Sequence, residues 1–196
     1  MNCLMTLWLL LKSSGNRVGI YIISGGFDMR FSYCPQCGQK LTDKAAGDDG
    51  LVPFCEACNK YWFDSFASCS IIMVTNDQNE IALLKQNYLS DTYWTFVAGF
   101  IKPGENAEET AFREVQEELG LELTRLEYSG TYWFAARDQL MHGFIGYTKK
   151  QDFKLSSEVN DAIWVPAEEA PTKMFPKRPG NTQHPIYEQY MKKQKH

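Results

Sequence analysis

The chain has 196 residues, 44% hydrophobic and 14% aromatic, with a net charge of −4 at neutral pH. That is enough apolar side chain for one substantial domain and a small appendage, and an acidic balance without a long block of one sign speaks against bulk binding to nucleic acid or an anionic membrane. No apolar run reaches the roughly 18 residues of a membrane span. The stretch from Leu4 to Leu11 lacks the flanks of a secretory signal, so a cytoplasmic location is expected.

Residues 1–28 carry little structural patterning: a short apolar run, Ser13-Ser14-Gly15-Asn16, then Val18 to Ile23. Met29-Arg30-Phe31 reads as a natural start, and codons for Ser24-Gly25-Gly26 can hold a ribosome-binding sequence shortly upstream. Two readings weigh equally: an upstream extension with the working protein beginning at Met29, or a genuine extra strand or tail.

Residues 29–64 are organised by cysteine. Cys34-Pro35-Gln36-Cys37 and Cys55-Glu56-Ala57-Cys58 are two C-x-x-C pairs separated by 17 residues, the spacing of a four-thiolate zinc ribbon. Gly38 and Asn59 follow the two pairs as turn-formers, consistent with two tight knuckles. A disulfide pair or a redox C-x-x-C is the simpler alternative, and the doubled motif without a signal peptide favours zinc. So small a unit needs its metal to hold together. Tyr61-Trp62-Phe63 is expected to pack it onto the next domain. Cys3 and Cys69 are left as free thiols.

From about Ser65 the pattern becomes that of a larger α+β domain, 65–196. Cys69 to Thr75 and Ile81 to Leu84 are apolar runs separated by the turn signal Asn76-Asp77, which predicts a hairpin. Trp94 to Phe100 predicts a third strand. Asn106 and Glu109 have the spacing of a capping box, Ala107, Ala111, Val115 and Leu119 form an apolar stripe, and Gly120 stops the helix. Strands are predicted at Leu126 to Phe134, Gly143 to Tyr147 and Ala162 to Val165, with a helical turn over Ala167 to Ala170. A last helix is capped by Asn181 or Thr182, with Ile186, Tyr187, Tyr190 and Met191 on its buried face. His142, His184 and His196 read as structural or surface residues.

Glu114, Glu117 and Glu118 stand at i, i+3 and i+4, three carboxylates on one helix face. Alone, such a face is most often merely solvated. Here the loop from Gly99 to Gly104 precedes it, bringing two glycines and Pro103 to the helix N-terminus, where backbone can approach an anion. The carboxylates repel one another, and a hard divalent cation such as Mg²⁺ or Mn²⁺ relieves that repulsion.

The stretch from Gly99 to Leu121, with Glu105 and Arg113-Glu114-Val115-Gln116-Glu117-Glu118-Leu119-Gly120-Leu121, resembles the Nudix box of the Nudix hydrolases at every defining position. The resemblance implies an α/β/α sandwich with a mixed sheet, and hydrolysis of a nucleoside diphosphate linked to another group by attack of water on phosphorus. It implies Glu114, Glu117 and Glu118 as ligands of Mg²⁺ or Mn²⁺, with the backbone carbonyl of Ala98. Glu114 has the alternative role of base through a bound water. Arg113 would orient a glutamate, paired with Glu105, and Glu158 is the further ligand from a later loop.

A zinc ribbon before such a domain resembles the NADH pyrophosphatases. Their Ser-Gln-Pro-Trp run is replaced here by Ser129-Gly130-Thr131-Tyr132-Trp133-Phe134, and their Tyr-Pro-Arg by Tyr61-Trp62-Phe63. Tyr132, Trp133 and Phe134 are candidates to stack on a nucleobase, against the plainer reading that strand aromatics are core. Lys177 or Arg178 can reach a phosphate. The expected substrate is a small nucleotide, NAD(H)- or ADP-ribose-like. Alternatives are a nucleotide-sensing regulator whose ribbon binds nucleic acid, and a hydrolase of capped RNA ends. The family resemblance also implies a homodimer.

Overall fold

The computed structural model describes residues 31–195. The two readings of residues 1–28, Cys3 and His196 lie outside them.

The cysteine unit is a three-stranded antiparallel sheet of β1 (Thr42–Ala45), β2 (Leu51–Cys55) and β3 (Lys60–Tyr61), in that order. Gly38 and Asn59 both have positive φ, 75° and 52°, so each C-x-x-C pair is followed by the left-handed residue that closes its knuckle. The aromatic tripeptide behaves differently from expectation. Tyr61 meets Phe54 edge-on and Trp62 meets Phe31, both inside the unit, while Phe63 is exposed. With only Cys34, Val52, Phe54 and Cys55 as its buried apolar residues, the ribbon draws its aromatics inward.

The larger unit is built on β4 (Ala67–Thr75), β5 (Glu80–Lys85), β6 (Val97–Phe100), β7 (Arg125–Phe134), β8 (Gln139–Tyr147) and β9 (Asp161–Pro166). Sheet order is β7-β8-β4-β5-β9, with β6 also on β4. β4 and β8 run parallel and the other neighbours antiparallel, so the sheet is mixed. One edge of β4 is shared: Cys69 to Ile72 pair with β6, and Val74 and Thr75 pair with β5. Where the two meet, Leu84 of β5 and Thr95, just before β6, exchange a pair of backbone hydrogen bonds at 2.9 Å.

Alternation along β4 fills both faces. Cys69, Ile71 and Met73 join Ile81, Leu83 and Phe96 under α3 (Gln183–Lys193), which contributes Ile186 and Tyr190. Ile72 and Val74 join Ala82, Leu84 and Val97 under α1 (Ala107–Leu119), which contributes Ala111, Val115 and Leu119. Helices on both faces of one sheet make the α/β/α sandwich.

α1 starts and stops where its sequence predicts. Asn106 and Glu109 form both bonds of the capping box, and Gly120 ends the helix at φ 66°. β8 begins four residues earlier than predicted, at Gln139, because it pairs with β7 as far as Phe134. The turn expected at Ala167 to Ala170 is instead α2 (Ala170–Lys173), with Pro171 in its first turn, where proline's missing N–H costs nothing.

Candidate active site

α1 sets the spacing of the carboxylates and Arg113 sets their orientation. The Arg113 guanidinium donates to both oxygens of Glu105, from Nε at 2.6 Å and Nη2 at 2.8 Å. Its Nη1 donates to Glu114 Oε1 at 2.5 Å and Glu117 Oε2 at 3.0 Å, and Nη2 also reaches the Phe100 carbonyl at 3.1 Å. Glu105 accepts further bonds from Thr110 Oγ1 and the Lys102 N–H. These hydrogen bonds, Arg113's foremost, hold its carboxyl down at about 2. Glu105 is therefore a fixed anion that clamps the arginine, and the arginine in turn holds two of the box carboxylates.

Gly99 has a role its sequence did not suggest. A Cβ built there would fall on the carboxylate of Glu114, so the glycine makes room for that side chain. The loop glycine, Gly104, has φ 93° and follows Pro103 in a turn closed by Glu105 N–H to Lys102 O at 3.0 Å.

Glu118 points the other way, inward. It is 5% exposed, its Oε1 accepts from Gln86 Nε2 at 3.1 Å, and its Oε2 is buried without a hydrogen-bond partner. Burial, and then the charges of Glu114 and Glu158, push its carboxyl up to about 8. An orphaned carboxylate oxygen among like charges is the environment a divalent cation would stabilise.

The field of Glu158 on Glu118 follows from how the chain returns. Lys154 N–H caps the Leu119 carbonyl at 2.8 Å, Ser156 N–H meets the Glu118 carbonyl at 3.3 Å, and Asn160 N–H meets the Lys85 carbonyl at 2.8 Å. The loop is thus stitched to the end of α1 and the end of β5, with Glu158 between the two anchors.

These carboxylates, with Ala98 and Gly99, line one wall of a cleft of about 820 Å³. Of the three aromatics proposed to meet a base, Phe134 lines the cleft and the other two do not. Tyr132 packs into the α3-side core with its hydroxyl on Ser129, and Trp133 stands edge-on to Phe66 at 5.4 Å. Arg178 lines the cleft, whereas Lys177 is paired with Glu188. His142 and His184 are structural, bonded to Ser68 and to the Phe175 carbonyl.

Sequence reasoning missed Gln86, Tyr88, Tyr93, Arg137 and Phe175, all on the cleft wall. Tyr93 and Phe175 lie with their rings 5.2 Å apart. Gln86 had a usable signal: two residues on from Leu84 and four from Ala82, it continues the α1 face of β5 one residue past the strand's end. The others sit in loops without periodicity.

In the ribbon, the sulfurs of Cys34, Cys37, Cys55 and Cys58 all lie within 4.8 Å of one another, and none is in a disulfide. Hydrogen bonding with Cys37, and then burial, push the Cys58 thiol up to about 12. Four crowded thiols resist ionising together, and a tetrahedral thiolate-bound cation resolves that conflict.

The family model for the NUDIX domain matches residues 65–185. A NAD-capped RNA hydrolase NudC of Vibrio atlanticus is 30% identical over 144 residues, covering 71% of this chain and 51% of that protein. The chloroplastic Nudix hydrolase 19 of Arabidopsis thaliana is 34% identical over 144 residues, covering 70% and 33% respectively. The chain thus spans about half the length of the one and a third of the other. A crystal structure of a NUDIX hydrolase from Nitrosomonas europaea shares the fold, with a TM-score of 0.64 and 20% identity over 85% of this chain and 93% of that one. Box, sandwich and profile agree: the chain belongs to the Nudix family.

Proposed function

We propose that this protein is a divalent-metal-dependent hydrolase that breaks the pyrophosphate of a nucleoside diphosphate joined to a further group, NAD(H)- or ADP-ribose-like. The observation that carries the reading is Glu118: a buried carboxylate with one oxygen unpartnered, under the charges of Glu114 and Glu158, on the wall of a cleft of about 820 Å³. Glu114, Glu117, Glu118 and Glu158 would hold Mg²⁺ or Mn²⁺, with the Ala98 carbonyl. Such an ion, when bound, neutralises phosphate charge and makes a water more acidic.

The chain's own residues supply position. Arg113, clamped by Glu105, orients Glu114 and Glu117, and the alternative role of Glu114 is that of a base acting through a bound water. Arg137 and Arg178 bring positive charge to the cleft that the carboxylates also line. Phe134, Tyr93 and Phe175 offer aromatic surface to a base. The four cysteines are read as a structural zinc site. The names of the relatives support a substrate of this class, since NAD-capped RNA carries the same pyrophosphate. A capped RNA end as the substrate is the second reading, favoured by the names of the relatives. A cytoplasmic homodimer completes the proposal.

The test is product analysis on NADH, NAD, ADP-ribose, nucleoside triphosphates and NAD-capped RNA with Mg²⁺ or Mn²⁺. Hydrolysis of one class is expected, and Glu118→Gln should lower kcat on it by 10²-fold or more, on the scale of losing other transition-state contacts. Equal activity in wild type and Glu118→Gln would rule out the assigned site.

A further inference from the structure

Gln86 is 6% exposed and stands just past the end of β5. Its Nε2 donates to Glu118 Oε1 at 3.1 Å, and its Oε1 accepts from the Tyr88 hydroxyl at 3.0 Å. Only one orientation of the amide suits an ionised Glu118, since the reverse would set oxygen against oxygen. The two oxygens of Glu118 are therefore unlike: Oε1 is tied to the sheet, and Oε2 is buried and free of hydrogen bonds. Tyr88 is at the other end of this chain of bonds, 69% exposed and on the cleft wall.

We propose that Gln86 is a positioning residue that ties one oxygen of Glu118 so that the other is presented to the catalytic cation, and that Tyr88, by holding the Gln86 amide, links the substrate cleft to that ligand. The inference rests on the reading of Glu118 as a cation ligand. Its physical basis is the terminal torsion of glutamate, which is broad and sets no carboxylate plane by itself. Without Gln86 the plane is free, and the cation must order it on binding. Partners that orient a ligand in this way are worth 10- to 100-fold in metal affinity. A substrate lying over Tyr88 would also exclude water from the Tyr88–Gln86 bond, the exposed end of this chain, and strengthen it, because hydrogen bonds gain in a drier surrounding. Bound substrate would then tighten the cation.

The experiment is calorimetric titration of the full chain with Mn²⁺ alone, on wild type, Gln86→Met and Tyr88→Phe, each checked by circular dichroism and melting. Gln86→Met keeps the volume and removes both hydrogen bonds. It should weaken Mn²⁺ about 10-fold or more. Tyr88→Phe should weaken it about 2- to 5-fold, the scale of one neutral hydrogen bond. In hydrolysis, the Gln86→Met deficit should be recovered by raising Mn²⁺, which a packing defect would not allow. Wild-type Mn²⁺ affinity in folded Gln86→Met would overturn the proposal. If that variant fails to fold, unchanged affinity in Tyr88→Phe overturns it instead. A wild-type protein that takes up no Mn²⁺ would sink the cation reading of Glu118 itself, a different failure.

Discussion

Glu105 and Glu118 are the same residue type thirteen positions apart, and their surroundings drive them to opposite ends of the carboxylate range. Glu105 meets a guanidinium that holds its carboxyl down at about 2, whereas Glu118 meets burial and other carboxylates and resists ionising. The sign of the consequence follows from linkage. The folded-state carboxyl of Glu118, at about 8, lies above its value in the unfolded chain, so the folded protein holds the proton more tightly. The stabilisation is complete below the unfolded value and is lost as pH rises through the folded one. Metal-free protein should therefore melt at lower temperature as pH goes from 5 to 8. Glu118→Gln should not show that fall, and saturating Mn²⁺ should reverse it in wild type. Melting curves of the two proteins in chelator across this range make the comparison, and parallel curves would refute the assignment.

Between β6 and α1 the contact is unusually specific, because a strand glycine receives a helix carboxylate. Gly99→Ala places a methyl where the Glu114 carboxylate lies, and Arg113 holds that carboxylate at 2.5 Å. The displaced group is the end of a side chain, so the fold can absorb it, while the geometry Arg113 imposes cannot survive. The expected outcome is a melting temperature within a few degrees of wild type with hydrolysis reduced about 10²-fold, on the scale of a misplaced catalytic group. A melt and a rate measured on one preparation decide it. Unchanged activity would mean that Glu114 works equally well elsewhere.

Over the whole molecule, apolar burial is unevenly shared. Both large clusters lie between residues 69 and 190, and the cysteine ribbon adds only a few buried side chains of its own. The sandwich should therefore stand without the ribbon metal, and the ribbon should not. Stripping the protein with a strong zinc chelator should abolish amide-exchange protection in residues 31–64 and leave β4, β8 and α1 protected. Ribbon protection that outlasts verified loss of metal would contradict the structural-zinc reading. Among the described residues no helix is long and apolar enough to cross a membrane.

Local rules made much of this legible in the sequence. The capping box at Asn106, the stop at Gly120, the stripe of Ala111, Val115 and Leu119 and the knuckle turns at Gly38 and Asn59 depend on neighbours a few residues away, and they stand where spacing put them. The same is true of three glutamates sharing one helix face. Facts that join distant segments were not legible. That Glu118 turns inward to Gln86 while Glu114 and Glu117 turn to Arg113 depends on β5, which reaches the helix only through the sheet. That Phe134 faces the cleft while Trp133 does not depends on strand pairing with β8, and the contribution of Arg137, Arg178 and Phe175 depends on the β7–β8 turn and the loop before α3, distant in the chain, meeting at one cleft. Spacing along a chain determines which groups share an element. Only packing decides which of them share a cavity, because burial, charge and orientation are properties of what lies across the gap.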